Sequence, residues 1–150
     1  MHKLKQFLPQ KIYLPHTMKL SDKGPIKPPP TMPGLLGDLV ETIQKWPGVI
    51  SATHWDLYRP SVADGADFYI GDNEIGHIHF DGEAHVATDA QISQSFIEQG
   101  KAQPFRYRAD PTYRHWTQVK ITNPTHCENT LALFRANYER LTVLARPVTC

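Results

Sequence analysis

The sequence predicts an α+β domain, a largely antiparallel sheet with helices packed on one face and the other face open. Three observations lead there. Strand-like segments follow one another between residues 49 and 88 with only turn residues separating them, which suits antiparallel neighbours. Apolar-striped helices number three, too few to cover both faces of a doubly wound sheet. And 150 residues, 40% of them apolar, supply one core. The same length excludes a (β/α)₈ barrel and a two-domain dehydrogenase.

The elements follow in order. Over residues 35–46, Leu35, Leu36, Leu39, Val40, Ile43 and Trp46 form one helical stripe that Pro47-Gly48 stops. Residues 49–58 are β-branched and aromatic and read as a strand, and Arg59 to Ala66 as a loop. Residues 67–70, 74–80 and 84–88 read as short strands divided by Gly71-Asp72-Asn73 and Asp81-Gly82-Glu83. Thr88 or Asp89 caps a second helix with Ile92, Phe96 and Ile97 on its buried side and Gly100 as its stop. Residues 101–114 form an irregular basic-aromatic connection and 115–122 a further strand. Thr125-His126-Cys127-Glu128 matches a capping box for the last helix, in which Leu131, Phe134, Tyr138, Leu141 and Leu144 recur at helical spacing.

Charge and proline divide the chain into a basic, proline-rich arm at 1–33 and a single domain at 34–146. Residues 1–30 carry six lysines against one acid, whereas the remainder carries ten basic and fourteen acidic side chains. Seven of the thirteen prolines lie in 1–33, and Pro28-Pro29-Pro30 favours polyproline II. Such an arm either seeks an anionic partner, nucleic acid or acidic lipid, or wraps its own domain through Phe7, Leu8, Ile12, Tyr13 and Leu14. The arm lacks arginine and spreads its lysines, which favours wrapping and weighs against nucleic acid. Because every proposed element follows Pro33, deletion of residues 1–30 is expected to leave a folded domain. No apolar run reaches the ~20 residues of a membrane span, and no secretory segment follows Met1, so the expected location is the cytoplasm. Cys127 and Cys150 form no CxxC pair, which excludes a zinc ribbon and suits reduced thiols.

Residues 74–87, EIGHIHFDGEAHVA, are the most informative segment. Alternation places Gly76, Ile78 and Phe80 on one face and His77 and His79 on the other. An Asp-Gly two-residue hairpin would mix the apolar and histidine sets. A three-residue loop, Asp81-Gly82-Glu83, would pair Phe80 with Ala84 and Ile78 with Val86, setting His85 opposite His79. Burial selects the second register, so His77, His79 and His85 converge on one face. Three imidazoles so placed can ligate zinc, iron or copper or transfer protons near neutral pH. Asp67, Tyr69 and Glu74 are near enough in sequence to orient them.

Other features carry less. Cys127 beside His126 sits where a helix N-terminus can lower a thiol pKa, but reads more simply as an inert cap-turn cysteine. Lys101, Arg106, Arg108, Arg114 and Lys120, interleaved with Phe105, Tyr107, Tyr113 and Trp116, can hold a phosphate or stack a base, or form an ordinary connection whose aromatics pack. GxGxxG, P-loop, HExxH and GxSxG motifs are absent, and the sequence names no cofactor.

Residues 39–142 resemble the luciferase-like domain family. The resemblance is carried by Trp46-Pro47-Gly48-Val49, by Glu74-Ile75-Gly76-His77-Ile78-His79 with Asp81-Gly82-Glu83-Ala84-His85-Val86, by Phe96 to Gly100 with Gln103-Pro104, and by Leu133 to Tyr138. The family usually has an aromatic where Lys101 stands and a histidine where Phe105 stands. Neither flavin nor light emission is inferred from the family's name, because the flavin-dependent luciferases of bacteria are large barrels and this chain is too short for one. The resemblance leaves three functional readings. The first is a small ligand bound on the open sheet face, with His77, His79 and His85 as the polar core of the site and as its catalysts. The second is a metal-dependent enzyme with the same three residues as ligands. The third is a nucleic-acid or protein-partner module built on the arm and residues 101–120.

Overall fold

The computed structural model describes residues 18–145; the proposed anchors Phe7, Leu8, Ile12, Tyr13 and Leu14 lie outside them. The elements are α1 (Gly34–Gln44), β1 (Val49–Trp55), β2 (Ala63–Ile70), β3 (Asn73–His79), β4 (Glu83–Val86), α2 (Ala90–Glu98), β5 (Gln103–Pro104), β6 (Thr117–Lys120) and α3 (Pro124–Ala145). The strands form one antiparallel sheet in the order β1-β2-β3-β4-β6-β5. The helices cover one face, and the architecture is α+β. Among the described residues no helix is long and apolar enough to cross a membrane.

Beneath the helices lies the main core. Phe68, Ile75, Ile78, Ala84 and Val86 point from the sheet into Leu39 and Ile43 of α1 and Leu133, Phe134 and Leu141 of α3. Phe68 and Phe134 meet edge to face with ring centroids 5.6 Å apart, a favoured aromatic geometry. Asn137 is fully buried in this apolar layer and donates from its Nδ2 to the carbonyls of Ile75 (2.9 Å) and Ala87 (3.1 Å). It ties α3 to β3 and to the residue that follows β4.

Helix ends depart slightly from expectation. Asp89, not Thr88, caps α2, accepting the Ile92 N–H at 2.9 Å, while the Thr88 hydroxyl donates to the His115 carbonyl. The capping box at Thr125 is not used. Asn123 accepts the His126 N–H at 2.8 Å and Pro124 opens α3, since proline suits the first helical position, where its missing N–H costs nothing.

Strand register differs in two informative ways. The β3–β4 loop has the expected odd length but comprises Phe80-Asp81-Gly82, so Ile78 pairs with Ala84 and His77, rather than His79, stands opposite His85. Gly82 explains the shift. Its φ of +92° suits the left-handed end of a three-residue hairpin, closed by its N–H bonding to the His79 carbonyl at 3.0 Å. Parity is preserved, so all three histidines share a face. The second difference is a β-bulge. Phe68 pairs with Gly76 but Tyr69 with Glu74, leaving Ile75 as an extra residue on β3. Ile75 drops into the core, and Glu74 rotates onto the histidine face, where simple alternation would not put it. Gly76 makes the bulge possible, because a Cβ there would come within 2.6 Å of the His85 carbonyl oxygen and 3.0 Å of the Phe134 ring. The segment expected to be a loop at 59–66 already joins β2 from Ala63, and Gln103–Pro104 adds a short strand to the sheet.

Residues 18–33 form a strap. It starts on the histidine face, where the Tyr69 hydroxyl donates to the Met18 carbonyl at 2.7 Å and Leu20 packs on Ala52 and Tyr69. It then rounds the outer edge of β1. The Trp55 indole N–H donates to Pro25 (2.9 Å), and the Thr53 N–H and hydroxyl donate to Lys27 (2.8 Å) and Pro28 (2.7 Å). It ends with Met32 in the helix-side core. The strap thus shields part of an edge strand that would otherwise present unpaired backbone groups.

Replacing Asn137 with Ala is expected to destabilise the fold by roughly 1–3 kcal/mol, the usual cost of stranding buried hydrogen-bond partners. Urea unfolding measures it, and a loss below about 0.5 kcal/mol, the range of ordinary surface substitutions, would contradict the role given to this residue.

Candidate functional site

Four histidines and four carboxylates meet on the sheet face opposite the main core. β1 supplies His54, β2 Asp67, β3 Glu74, His77 and His79, and β4 Glu83 and His85; Asp64 joins from the start of β2. Pairing places them side by side, with Gly65 opposite His79, Asp67 opposite His77, and His77 opposite His85.

Each imidazole is held from behind by a carboxylate. His54 Nδ1 lies 2.8 Å from Asp67, His77 Nδ1 2.6 Å from Glu74, His79 Nδ1 2.7 Å from Asp64, and His85 Nε2 2.8 Å from Glu83. An ionised carboxylate only accepts, so each of these nitrogens carries the proton and donates it. In a neutral imidazole so held, the opposite ring nitrogen is a bare acceptor. The far nitrogens of two rings both approach the third: His85 Nδ1 lies 3.1 Å from His77 Nε2 and 3.2 Å from His79 Nε2. His54 stacks on His77 at 4.0 Å and lies edge-on to His79 at 4.9 Å. His54, His77 and His79 each offer a ligating nitrogen within 4.8 Å of the others.

Charge follows a similar logic. Lys23 from the strap reaches Asp67 at 3.1 Å and Glu74 at 3.0 Å, and Arg106 pairs with Glu83. Burial opposes the Lys23 charge, but the Glu74 and Asp67 carboxylates overcome it and raise its pKa. Two cations thus face four carboxylates. Burial pushes His77 well below the ordinary imidazole range, with His54 adding to the effect, and lowers His85 to about 4 despite its bond to Glu83. With His77 and His85 neutral, these two imidazoles add no charge to offset the excess of carboxylate. Asp67 is fully buried, and its Oδ2 has no partner among the described residues.

His77, His79 and His85 are thus brought together as the sequence suggests. His54 is a fourth member that alternation within the β3–β4 hairpin could not reveal, since it lies on a strand two positions away. Glu83, expected in the turn, opens β4 and orients His85. Phe105, where the family usually has a histidine, packs edge-on against His85 at 4.7 Å and joins Tyr113 and Trp116 in a small aromatic cluster. Three aromatics of the basic-aromatic connection therefore pack inward, and Arg106 serves the site by pairing with Glu83. Lys101 is exposed. Cys127 is no activated thiol: burial, Asp38 and Glu128 all raise its pKa.

Because folding depresses the affinity of His85 and His77 for protons, the unfolded chain binds more protons once the pH falls below about 6.5, the ordinary histidine value. In the presence of a chelator, stability is expected to be full above that pH and to fall as pH drops from about 6.5 toward about 4. Urea midpoints at neutral and mildly acidic pH test this. His85→Gln should flatten the dependence, and an unchanged slope in that variant would contradict the assignment.

Comparison with known proteins agrees with the most specific part of the sequence resemblance. No curated protein and no solved structure matches the chain. The matched region of the family comparison contains His77, His79, His85, Glu74 and Glu83, whereas Lys23, His54, Asp64 and Asp67 precede it. Residues 72–137 match the family model described as Luciferase domain, so over this stretch the chain is similar to the luciferase-like domain family.

Proposed function

We propose that this domain is a metal-dependent enzyme whose histidine cluster holds a divalent first-row transition-metal ion. One observation carries the reading: His85 Nδ1 lies 3.1 Å from His77 Nε2 and 3.2 Å from His79 Nε2, while the other ring nitrogen of each is tied to a carboxylate. Ring nitrogens crowded in this way, each opposite a carboxylate-bound nitrogen, are placed to share a cation. Carboxylates behind ligating histidines are the usual second layer of a metal site, fixing tautomer and ring orientation. The excess of carboxylate over side-chain cation supports a positively charged guest. Imidazole ligands suit zinc, iron, copper or nickel.

Three histidine ligands leave a coordination position for water or substrate, the pattern of catalytic rather than structural sites. Access is at the His79 end, where the side chains of His79 and Asp64 are 18% and 33% exposed. The strap covers the other end. A small ligand on the open sheet face therefore approaches the ion from the side of His79, with His85 and Phe105 as one wall. A bound ion would supply Lewis acidity or a lowered water pKa; the protein holds His77 and His85 neutral and all three rings oriented.

The expected result is about one equivalent of bound metal per chain, measured by elemental analysis after dialysis against zinc, iron or cobalt. His79→Ala and His85→Ala should each lose it, and His85→Ala should remain folded. Saturating metal at ~100 times the dissociation constant should add about 2.7 kcal/mol to the stability of the unsubstituted protein. Retention of the metal by the His79→Ala and His85→Ala variants, or its absence from the unsubstituted protein, would overturn the reading.

A further inference from the structure

We infer that Asp67, Glu74 and His77 form a second cation site, which the Lys23 ammonium of the strap fills and which a divalent cation takes when that ammonium is withdrawn. The three residues each offer a ligating atom within 4.8 Å of the others, and all three are buried. Lys23 Nζ sits between the carboxylates, 3.1 Å from Asp67 and 3.0 Å from Glu74. Buried carboxylates demand a paired charge, and the sheet itself provides none: apart from Lys23, their neighbours are His54, His77 and Tyr69. Asp67 Oδ2, buried and partnerless among the described residues, is a ligand atom that the ammonium leaves unused.

The occupant is therefore tethered rather than built in. Lys23 comes from a short 3-10 turn, Leu20–Lys23, that docks through Leu20 and a few hydrogen bonds. Two carboxylates and one imidazole suit manganese, iron or zinc. On taking the ion, His77 would bind through Nδ1 and release that proton to solvent; with an ion also held at Nε2 the ring would bridge the two as an imidazolate, and without one Nε2 would take up a proton and donate it to His85.

Metal content after dialysis against manganese or zinc tests the inference in the full-length protein. Lys23→Ala should hold one more equivalent than the unsubstituted chain, and adding Asp67→Asn should remove that extra equivalent. If Lys23→Ala is unfolded without metal, manganese should restore its circular dichroism spectrum. An unchanged stoichiometry in folded Lys23→Ala, or no recovery of the unfolded variant with metal, would overturn the site. The combination Lys23→Ala with His85→Ala separates this inference from the histidine-held ion. The extra equivalent should persist there even if the histidine cluster binds nothing.

Discussion

Two carboxylates buried in the middle of a sheet, Asp67 and Glu74, set the terms for the rest of the histidine face. Neither can stay ionised in that position without positive charge or hydrogen-bond donors close by. The strap answers by inserting Lys23, and the sheet answers with the Nδ1–H groups of His54 and His77. Those bonds fix the ring orientations. Once His77 is turned by Glu74, its Nε2 faces β4, and the similarly oriented His79 and His85 complete the convergence. Removing the ammonium alone, as in Lys23→Met, leaves an uncompensated pair, a class of change that typically costs 3–5 kcal/mol.

The helix side provides the rigidity that such a site requires. Phe134 packs against the bare Cα of Gly76, and Asn137 holds the carbonyls of Ile75 and Ala87. Both grips fall on the bulge or next to it. The irregularity that turns Glu74 toward the histidines is thus pinned from the opposite face by α3. A functional group held by strands with locked partners keeps its geometry better than one carried on a loop.

Much of this was legible from residue types. The α+β class followed from consecutive strand segments and few helices, and the common face of His77, His79 and His85 followed from parity, because any odd hairpin loop keeps the apolar set of Ile78, Ala84 and Val86 together. The location of the turn within Phe80-Asp81-Gly82 was not legible, since it depends on which residue takes the left-handed conformation. Glu74 was recognised as near the histidines, but its side of the sheet was not, because a bulge breaks the two-residue period on which the reading relied. His54 and Lys23 escaped notice as members of the cluster for a different reason: their proximity is a property of strand order and of the strap's path.

The sequence by itself determined most of the elements, the apolar and histidine faces of the β3–β4 hairpin and the likeness of residues 72–137 to the Luciferase domain model. These depend on local periodicity, turn chemistry and a contiguous motif. Only the tertiary structure decided which carboxylate stands behind which imidazole, that a fourth histidine stacks on His77, and that a lysine from the strap occupies the space between Asp67 and Glu74. Apart from the local pairs His77–Glu74 and His85–Glu83, those relations join residues 13 to 51 positions apart. No local rule links such distances; the packing of strands and strap does, driven by the need to bury apolar surface on one face and to compensate charge on the other.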